Sequence, residues 1–189
     1  MLLGERGAVS VETVIMLPVL ILFYVVSFVF YDAFRTQANI TRTGYVVGDL
    51  LSREAEVRQR DIDGMRNVFA LLTHARGAVD VRVTEIIRPS GHDDWDYEVA
   101  WSRPSSSSSR GEMTGAELAA LLAPPPGEPV PLPRLSPNER VVIVESFLRY
   151  QPPLNVGLTT YWMDSLVVTR PRYDTQLCWV DEDDISSCD

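Results

Sequence analysis

The sequence predicts an α+β fold in which a long N-terminal helix, transmembrane in its first half, packs on a small antiparallel β-sheet. Three patterns support this prediction. An apolar run fills residues 8–31, small and aromatic residues then recur every three or four positions, and apolar residues alternate with polar ones from Val79. The first two patterns are typical of helices and the third of strands. At 189 residues the chain suits one domain and an anchor.

The apolar run of residues 8–31 predicts a membrane-spanning helix. Its 24 residues contain a single charged side chain, Glu12. At about 1.5 Å per residue the run reaches roughly 36 Å, whereas a hydrocarbon core is about 30 Å thick. A cleavable secretory signal has a shorter apolar region, about 7 to 15 residues, followed by a small-residue cleavage site. We therefore expect this segment to be retained as an anchor.

Residues 32–76 predict an extramembrane helical segment. One face of its first helix carries Tyr31, Phe34, Ala38, Thr41, Tyr45 and Gly48, at alternating steps of three and four. This helix is expected to continue towards Gln59. A second helix is predicted with Asp61 as its N-cap and Gly77 as its stop, and its apolar face consists of Ile62, Met65, Phe69 and Leu72. We interpret both faces as ordinary core packing rather than as partner grooves.

Residues 77–189 predict a β-rich region. A half-buried strand and a second strand form a predicted hairpin, and their apolar positions are Val79, Val81 and Val83 in the first and Tyr97, Val99 and Trp101 in the second. Residues 141–150 form the strongest predicted strand, which we expect to lie centrally against the helix. Shorter strands are predicted at residues 166–169 and 177–180.

Two loops of biased composition interrupt the β-rich region. Residues 105–109 are five consecutive serines and predict a flexible loop. Residues 124–137 contain seven prolines and predict an extended connector, which we interpret as a surface strap rather than a ligand for another domain. Between these loops, Thr114 and Glu117 form a capping box that predicts the start of a short helix.

Composition and cysteine content restrict the function classes. The net charge of −9 and the isoelectric point of about 4.7 argue against nucleic acid as a partner, because binding to its backbone needs a basic surface. Cys178 and Cys188 are the only cysteines. They suit a disulfide if the region lies outside the cytoplasm. Metal ligation is the weaker alternative, because no second cysteine pair is present and both histidines are distant in sequence.

The sequence lacks the motifs of catalysis. It contains no GxSxG elbow, no phosphate-binding glycine loop and no paired-histidine metal motif. His74 is predicted at a helix end and His92 in a polar turn. The acidic groups at residues 92–94 and 181–184 lack the spacing of a calcium loop, so we interpret them as a solvated loop and an acidic tail. We predict no enzyme activity, no cofactor, no metal site and no small-molecule substrate.

Glu12 is the unusual residue of the apolar segment. A carboxylate at mid-bilayer costs on the order of 2.5 to 3.5 kcal/mol on insertion scales. Either Glu12 lies near the interface, where this cost is smaller, or a positive group compensates its charge. Gly7 stands five positions before it, after a short leader that ends in Glu5 and Arg6. Cleavage after Gly7 would make Ala8 the first residue and Glu12 the fifth.

This arrangement resembles the pilins and pseudopilins that prepilin peptidase processes, and most closely the TadE-like subunits of tight-adherence (Tad/Flp) pili. The matching stretch covers residues 6–20, RGAVSVETVIMLPVL. A shorter match, TRPRY at residues 169–173, resembles the ending of TadE-like chains. Thr13 replaces the tyrosine found next to the acidic residue in the major Flp pilins, which favours a minor subunit. The middle of the chain carries no resemblance.

The resemblance implies a pilin-like fold and a structural function. Residues 1–7 would be a prepilin-type leader, with Gly7 as its last residue and Ala8 as the mature start, and Glu12 would support processing or assembly. Pro18 would kink the helix, since proline frees a backbone carbonyl. The implied partners are the membrane, prepilin peptidase and other pilin or pseudopilin subunits. The implied location is the bacterial inner membrane, single-pass, with the C-terminal region outside the cytoplasm and incorporation into a surface pilus as the further expectation.

Charges around the span do not fix this orientation. Arg6 precedes the span and is offset by Glu5, while Arg35 and Arg42 follow it. Arginines near a span favour the cytoplasmic side, so this signal is ambiguous and slightly opposes an external C-terminal region. The rival interpretation is a single-span anchored sensor or binding domain that is unrelated to pili.

Overall fold

The computed structural model describes residues 4–91, 95–127, 129–181 and 186–188, with side chains from Glu12 onward. It has the predicted α+β architecture, a long N-terminal helix on a small antiparallel sheet. The elements in chain order are α1 (Gly4–Leu51), β1 (Glu56–Val57), α2 (Gln59–Leu72), β2 (Val79–Ile87), β3 (Glu98–Pro104), α3 (Gly115–Leu122), β4 (Arg140–Tyr150), β5 (Tyr161–Thr169) and β6 (Cys178–Trp179).

The main sheet has four antiparallel strands in the order β3-β2-β4-β5. The predicted hairpin of β2 and β3 is confirmed, and so is the central position of β4 beside the helix. Strand β5 begins at Tyr161, five residues before the predicted start at Leu166. Its early start follows from pairing along the full length of β4, where Tyr161 lies opposite Tyr150. The local sequence pattern does not reveal this pairing with a distant strand.

Strand β2 is covered on both faces, so the prediction of a half-buried strand was wrong. Its valines pack against α1 and α2 in one core cluster. On the other side a second cluster consists of Ile86, Tyr97, Met113, Leu118, Leu132, Leu135, Val141 and Ile143, contributed by the sheet, α3 and the proline-rich segment. The alternating polar residues of β2, Asp80, Arg82 and Thr84, are therefore buried. Arg82 donates to both carboxylate oxygens of Glu145, at 2.6 and 3.0 Å.

The outer half of α1 packs on the sheet through a different face from the one predicted. The buried side chains of this half are Val29, Ala33, Ile40, Thr43, Val47 and Leu51. Tyr31, Phe34 and Tyr45, assigned above to core packing, are instead exposed. The spacing of three and four was correct for a helix, but the sheet lies on the other side of it. The interpretation of this aromatic face as core was therefore wrong.

The connection between the first two helices also differs from the prediction. Helix α1 ends at Leu51 rather than continuing towards Gln59, because the chain then forms β1, which pairs in parallel with β6. Helix α2 begins at Gln59, and Asp61 is its third residue rather than its N-cap. The Asp61 carboxylate accepts the Arg58 backbone N–H at 2.9 Å. Asp61 therefore caps the start of α2 as predicted in kind, but it does so from the third helical residue rather than from the N-cap position.

The end of α2 precedes the predicted stop at Gly77. The helix ends at Leu72, and His74 adopts a left-handed backbone with φ of 51°. The N–H of Ala75 then bonds the carbonyl of Ala70 at 3.1 Å, as in a Schellman-type ending. Gly77 is required for a different reason, since a Cβ there would lie 2.2 Å from the Arg149 carbonyl oxygen.

The predicted short helix and the proline-rich segment cover the outer face of the sheet. The serine loop instead contacts α2, where Ser106 donates to both carboxylate oxygens of Asp63, at 2.7 and 2.6 Å. The capping box is confirmed, because Thr114 and Glu117 exchange hydrogen bonds of 3.0 and 3.2 Å at the start of α3. The proline-rich segment contains no helix or strand among its described residues. The Tyr97 hydroxyl donates to the Pro133 carbonyl at 3.0 Å and holds this segment against the sheet.

Candidate functional site

Helix α1 carries the predicted processing residues. Gly7, Ala8 and Glu12 lie on its first turns, and the Glu12 side chain is exposed. The side chains before Glu12 lie outside the described part of the chain. Gly7 and Glu12 are separated by about 7.5 Å along a helix that rises about 1.5 Å per residue. Their predicted roles in leader cleavage and in assembly stay predictions.

The first half of α1 is an apolar rod that projects from the domain. Among the described residues, one helix is long and apolar enough to cross a membrane, and 6% of its most apolar stretch is buried. A core helix of a soluble protein would be mostly buried, so the exposure favours a membrane span. At about 1.5 Å per residue, the 48 residues of α1 extend over about 72 Å. About half of this length is available for the bilayer.

Pro18 lies inside α1 and does not end it, since the helix continues on both sides of the proline. Neighbouring groups in a membrane can satisfy the carbonyl that proline leaves unbonded. The predicted kink at Pro18 stays a prediction.

Specific contacts fix the outer half of α1 to the sheet. The Tyr150 hydroxyl donates to the Asp32 carboxylate at 2.9 Å, and Gln37 donates to the Asp164 carbonyl at 3.1 Å. Burial, together with the bond to Asp32, raises the pKa of the Tyr150 phenol, so this tyrosine remains a neutral donor. The helix and the sheet are therefore joined where the apolar rod leaves the domain.

Two glycines allow the close approach of α1 to β5. A Cβ at Gly44 would lie 3.1 Å from Val167, and one at Gly48 would lie 3.2 Å from the same side chain. Glycine in a helix interior generally weakens the helix. In the structure these two glycines also let the helix backbone contact the strand directly, so α1 is held along the sheet and not only at its base.

The outward face of α1 is largely uncovered by the described part of the chain. Phe34 is 73% exposed and Tyr45 is 63% exposed. Large exposed apolar surfaces that continue for several turns are typical of interaction sites. This face continues the apolar rod beyond the predicted membrane boundary at Tyr31, so an exposed apolar surface runs along most of α1.

The cysteine pair forms a disulfide. Cys178 and Cys188 are bonded, with their Cα atoms 5.5 Å apart, and neither is free for a metal. The bond closes the tail beside the parallel pair of β1 and β6. Its role is structural, since it holds the strand that follows the buried Leu177.

The predicted imidazole and acidic groups do not converge in the described part of the chain. His74 lies at the end of α2, whereas His92, Asp93, Asp94 and residues 182–185 are outside the described residues. Among the described residues, no group of three or more histidines, cysteines or carboxylates could hold a metal ion. The absence of enzyme activity stays a prediction.

The pattern of residues along the chain did not reveal a group of arginines that the fold brings together. Arg35, Arg76 and Arg149 line one cavity where α1, α2 and β4 meet. The residues are far apart in sequence and lie on three different elements. In the sequence, all three arginines lie near the ends of predicted elements, but this position alone does not predict that they come together.

The chain was compared with family models, curated proteins and solved structures. None of the three comparisons finds a match. The TadE-like resemblance therefore rests on residues 6–20 and 169–173 alone.

Proposed function

We propose that this chain is a structural subunit, a minor pilin or pseudopilin, of a bacterial Tad/Flp-type type IV pilus system used in adherence. It is anchored in the inner membrane by one span, with its C-terminal region outside the cytoplasm, and is processed by prepilin peptidase. The observation that carries the proposal is the exposed α1. This helix joins a leader-like start to an apolar rod and then to an aromatic face that the domain leaves uncovered.

The chemistry of the N-terminus is consistent with assembly through α1. Cleavage after Gly7 creates an α-amino group at Ala8, and Glu12 supplies the opposite charge close to it. In a low-dielectric environment, the amine of a neighbouring subunit would compensate the carboxylate. A buried charge pair adds little net stability, but loss of one partner is costly. The pair would therefore select the register of neighbouring helices.

The aromatic face provides the second contact for assembly. Phe34 and Tyr45 follow the predicted span, and Tyr45 lies about 21 Å beyond its end, where lipid does not cover it in a single subunit. Packing against the helices of sister subunits would remove them from water, at roughly 25 cal/mol per Å² of apolar area. The fixed connection between α1 and the sheet would transmit this packing to the position of the domain.

Mass spectrometry of the mature N-terminus tests the processing step. The protein is extracted from membranes of cells that contain an active prepilin peptidase, and the expected N-terminus is Ala8. A Gly7→Val variant, which enlarges the residue at the cut, is expected to keep Met1. An intact Met1 terminus in the unchanged protein would refute the proposed processing.

A Glu12→Ala variant separates the pilus subunit from an anchored sensor or binding domain. The proposal expects the variant to stay membrane-bound but to be missing from the isolated pilus complex. Ser27→Ala, an exposed position on the same apolar half of the helix, serves as the control and is expected to assemble normally. Normal assembly of the Glu12→Ala protein would favour the rival function.

A further inference from the structure

A cavity of about 170 Å³ opens at the end of the domain from which the apolar half of α1 projects. Helix α1, the end of α2 and the end of β4 meet there. The charged and ring-bearing residues that line it are Asp32, Arg35, His74, Arg76, Arg149 and Tyr150. We call it the arginine cavity.

The arginine cavity is positively charged, although the chain as a whole carries −9. Three arginines face one carboxylate, Asp32. The C-terminus of α2 adds about half a negative charge, so the lining keeps an excess of roughly 1.5 positive charges with His74 neutral. Within the described part of the chain, Arg35, Arg76 and Arg149 make no hydrogen bond or ion pair through their side chains. All three side chains are exposed, so a ligand can reach them.

The backbone holds two of these arginines next to each other. The Arg149 N–H donates to the Ala78 carbonyl at 2.9 Å, and Gly77 allows its backbone to lie against the Arg149 carbonyl. Arg76 immediately precedes this contact. Asp32 accepts the hydrogen bond from Tyr150, which reduces its competition for the guanidinium groups. The fold therefore brings the backbones of Arg76 and Arg149 together, while their side chains, like that of Arg35, remain exposed.

With a span that ends at Tyr31, the cavity would lie at the level of lipid headgroups. Arg35 follows the predicted span by four residues, about 6 Å along the helix axis, and the headgroup layer of one leaflet is roughly 5 to 8 Å thick. The same end of the domain exposes apolar and aromatic side chains, namely Leu71, Leu154, Tyr161 and Trp162. Tyrosine and tryptophan are enriched at membrane interfaces. This end of the domain therefore faces the bilayer surface.

We propose that the arginine cavity binds the phosphate of an anionic phospholipid in the membrane that holds α1. Guanidinium groups bind phosphate oxygens through paired N–H donors, which suits three arginines around one anion. A free phosphate offers the same chemistry, but only the lipid is concentrated at this height. Lipid phosphates also compensate the arginines that follow the span. The proposal requires membrane insertion and does not depend on a role in pili.

Lipid titration followed by native mass spectrometry tests the proposal. The full-length protein in detergent is titrated with phosphatidylglycerol, with phosphatidylcholine and, separately, with inorganic phosphate. One phosphatidylglycerol is expected to bind in preference to phosphatidylcholine. Each arginine near a membrane surface contributes about fivefold in affinity, so R35Q/R76Q/R149Q is expected to lose on the order of 100-fold. R149Q alone is expected to lose about fivefold. R35K/R76K/R149K is expected to bind more weakly than the unchanged protein but more tightly than the triple glutamine variant, because lysine keeps the charge and loses the paired donors.

A matched control removes the same charge at the opposite end of the domain. R53Q/R60Q/R172Q alters exposed arginines whose ion pairs lie on the surface, and it is expected to bind phosphatidylglycerol within about twofold of the unchanged protein. An equal loss in this control would overturn the cavity as the site. Equal binding of the two lipids, or displacement of phosphatidylglycerol by millimolar inorganic phosphate, would overturn the lipid assignment. The single R149Q variant keeps the test decisive if the triple variant fails to fold.

Discussion

We expect truncation to destabilise the domain on one face of α1 and to leave its stability unchanged on the other, and this difference tests both the fold and the proposed function. Ile40 faces the sheet and is 0% exposed, whereas Phe34 faces outward and is 73% exposed. Truncation of a buried isoleucine to alanine costs about 2 to 5 kcal/mol, because apolar contacts are lost and a cavity remains. Truncation of an exposed side chain changes stability by less than about 0.5 kcal/mol.

These free energies translate into a measurable difference in Tm. For a domain of this size, 1 kcal/mol shifts Tm by about 2 to 4 °C. With a cost of about 3 kcal/mol, Ile40→Ala is expected to lower Tm by roughly 6 to 12 °C, and Phe34→Ala by no more than about 2 °C. Thermal unfolding of the full-length protein in detergent, followed by near-UV circular dichroism, reports the packing of the domain without the signal of the apolar helix.

The same pair of variants separates stability from assembly. Under the proposed function, Phe34→Ala should fold normally but be recovered less often in the isolated pilus complex, because its contact lies between subunits. Equal losses of Tm in the two variants would show that the outward face is packed within the domain. A negligible loss in Ile40→Ala would refute the packing of α1 on the sheet.

Three further predictions concern the domain alone. Gly77→Ala should destabilise the domain, because the new Cβ would lie 2.2 Å from the Arg149 carbonyl oxygen. In Gly64→Ala the new Cβ meets nothing within 4 Å, so this variant in α2 should raise the free energy of unfolding, measured in urea, by up to about 1 kcal/mol. Equal effects of the two variants would contradict this. Removal of the Cys178–Cys188 bond in the double serine variant should cost at most about 3 kcal/mol for a short loop, measured as a lower urea midpoint; an unchanged midpoint would count against a stabilising role. Burial raises the pKa of Glu85 above its ordinary 4.5, against the opposing effects of the Leu177 N–H and Arg140. The folded state then holds this proton more tightly, so the Glu85 contribution to the free energy of unfolding falls as pH rises from about 4.5 through the raised pKa. Unfolding at several pH values should show this slope reduced in Glu85→Gln, and an unchanged or steeper slope would contradict it.

Local patterns in the sequence were sufficient for much of the fold. The apolar length of residues 8–31 predicted the candidate span, and alternation from Val79 predicted β2. The capping box at Thr114 predicted the start of α3. Each of these signals depends on residues within a few positions of one another, because side-chain period and backbone capping are local properties. The sequence also predicted the disulfide between Cys178 and Cys188, since they are its only cysteines.

Non-local pairing explains the errors at element ends. Helix α1 stops at Leu51 because the next residues pair with β6, more than 100 residues later, and β5 begins at Tyr161 because β4 offers a partner there. Strand β2 is buried on both faces because α3 and the proline-rich segment fold back over it. The spacing of apolar residues within one segment does not report these contacts between distant parts of the chain.

The sequence alone determined the leader-like N-terminal motif and the helical period of α1. The hypothesis of cleavage after Gly7, with Ala8 as the mature start and Glu12 as the fifth residue, depends on that motif. The tertiary structure decided which face of α1 is free. Both faces carry apolar side chains at helical spacing, so the period cannot choose between them, and the choice follows from the side on which the sheet packs. The arginine cavity was decided in the same way, since Arg35, Arg76 and Arg149 meet only when three elements converge at the membrane end of the domain.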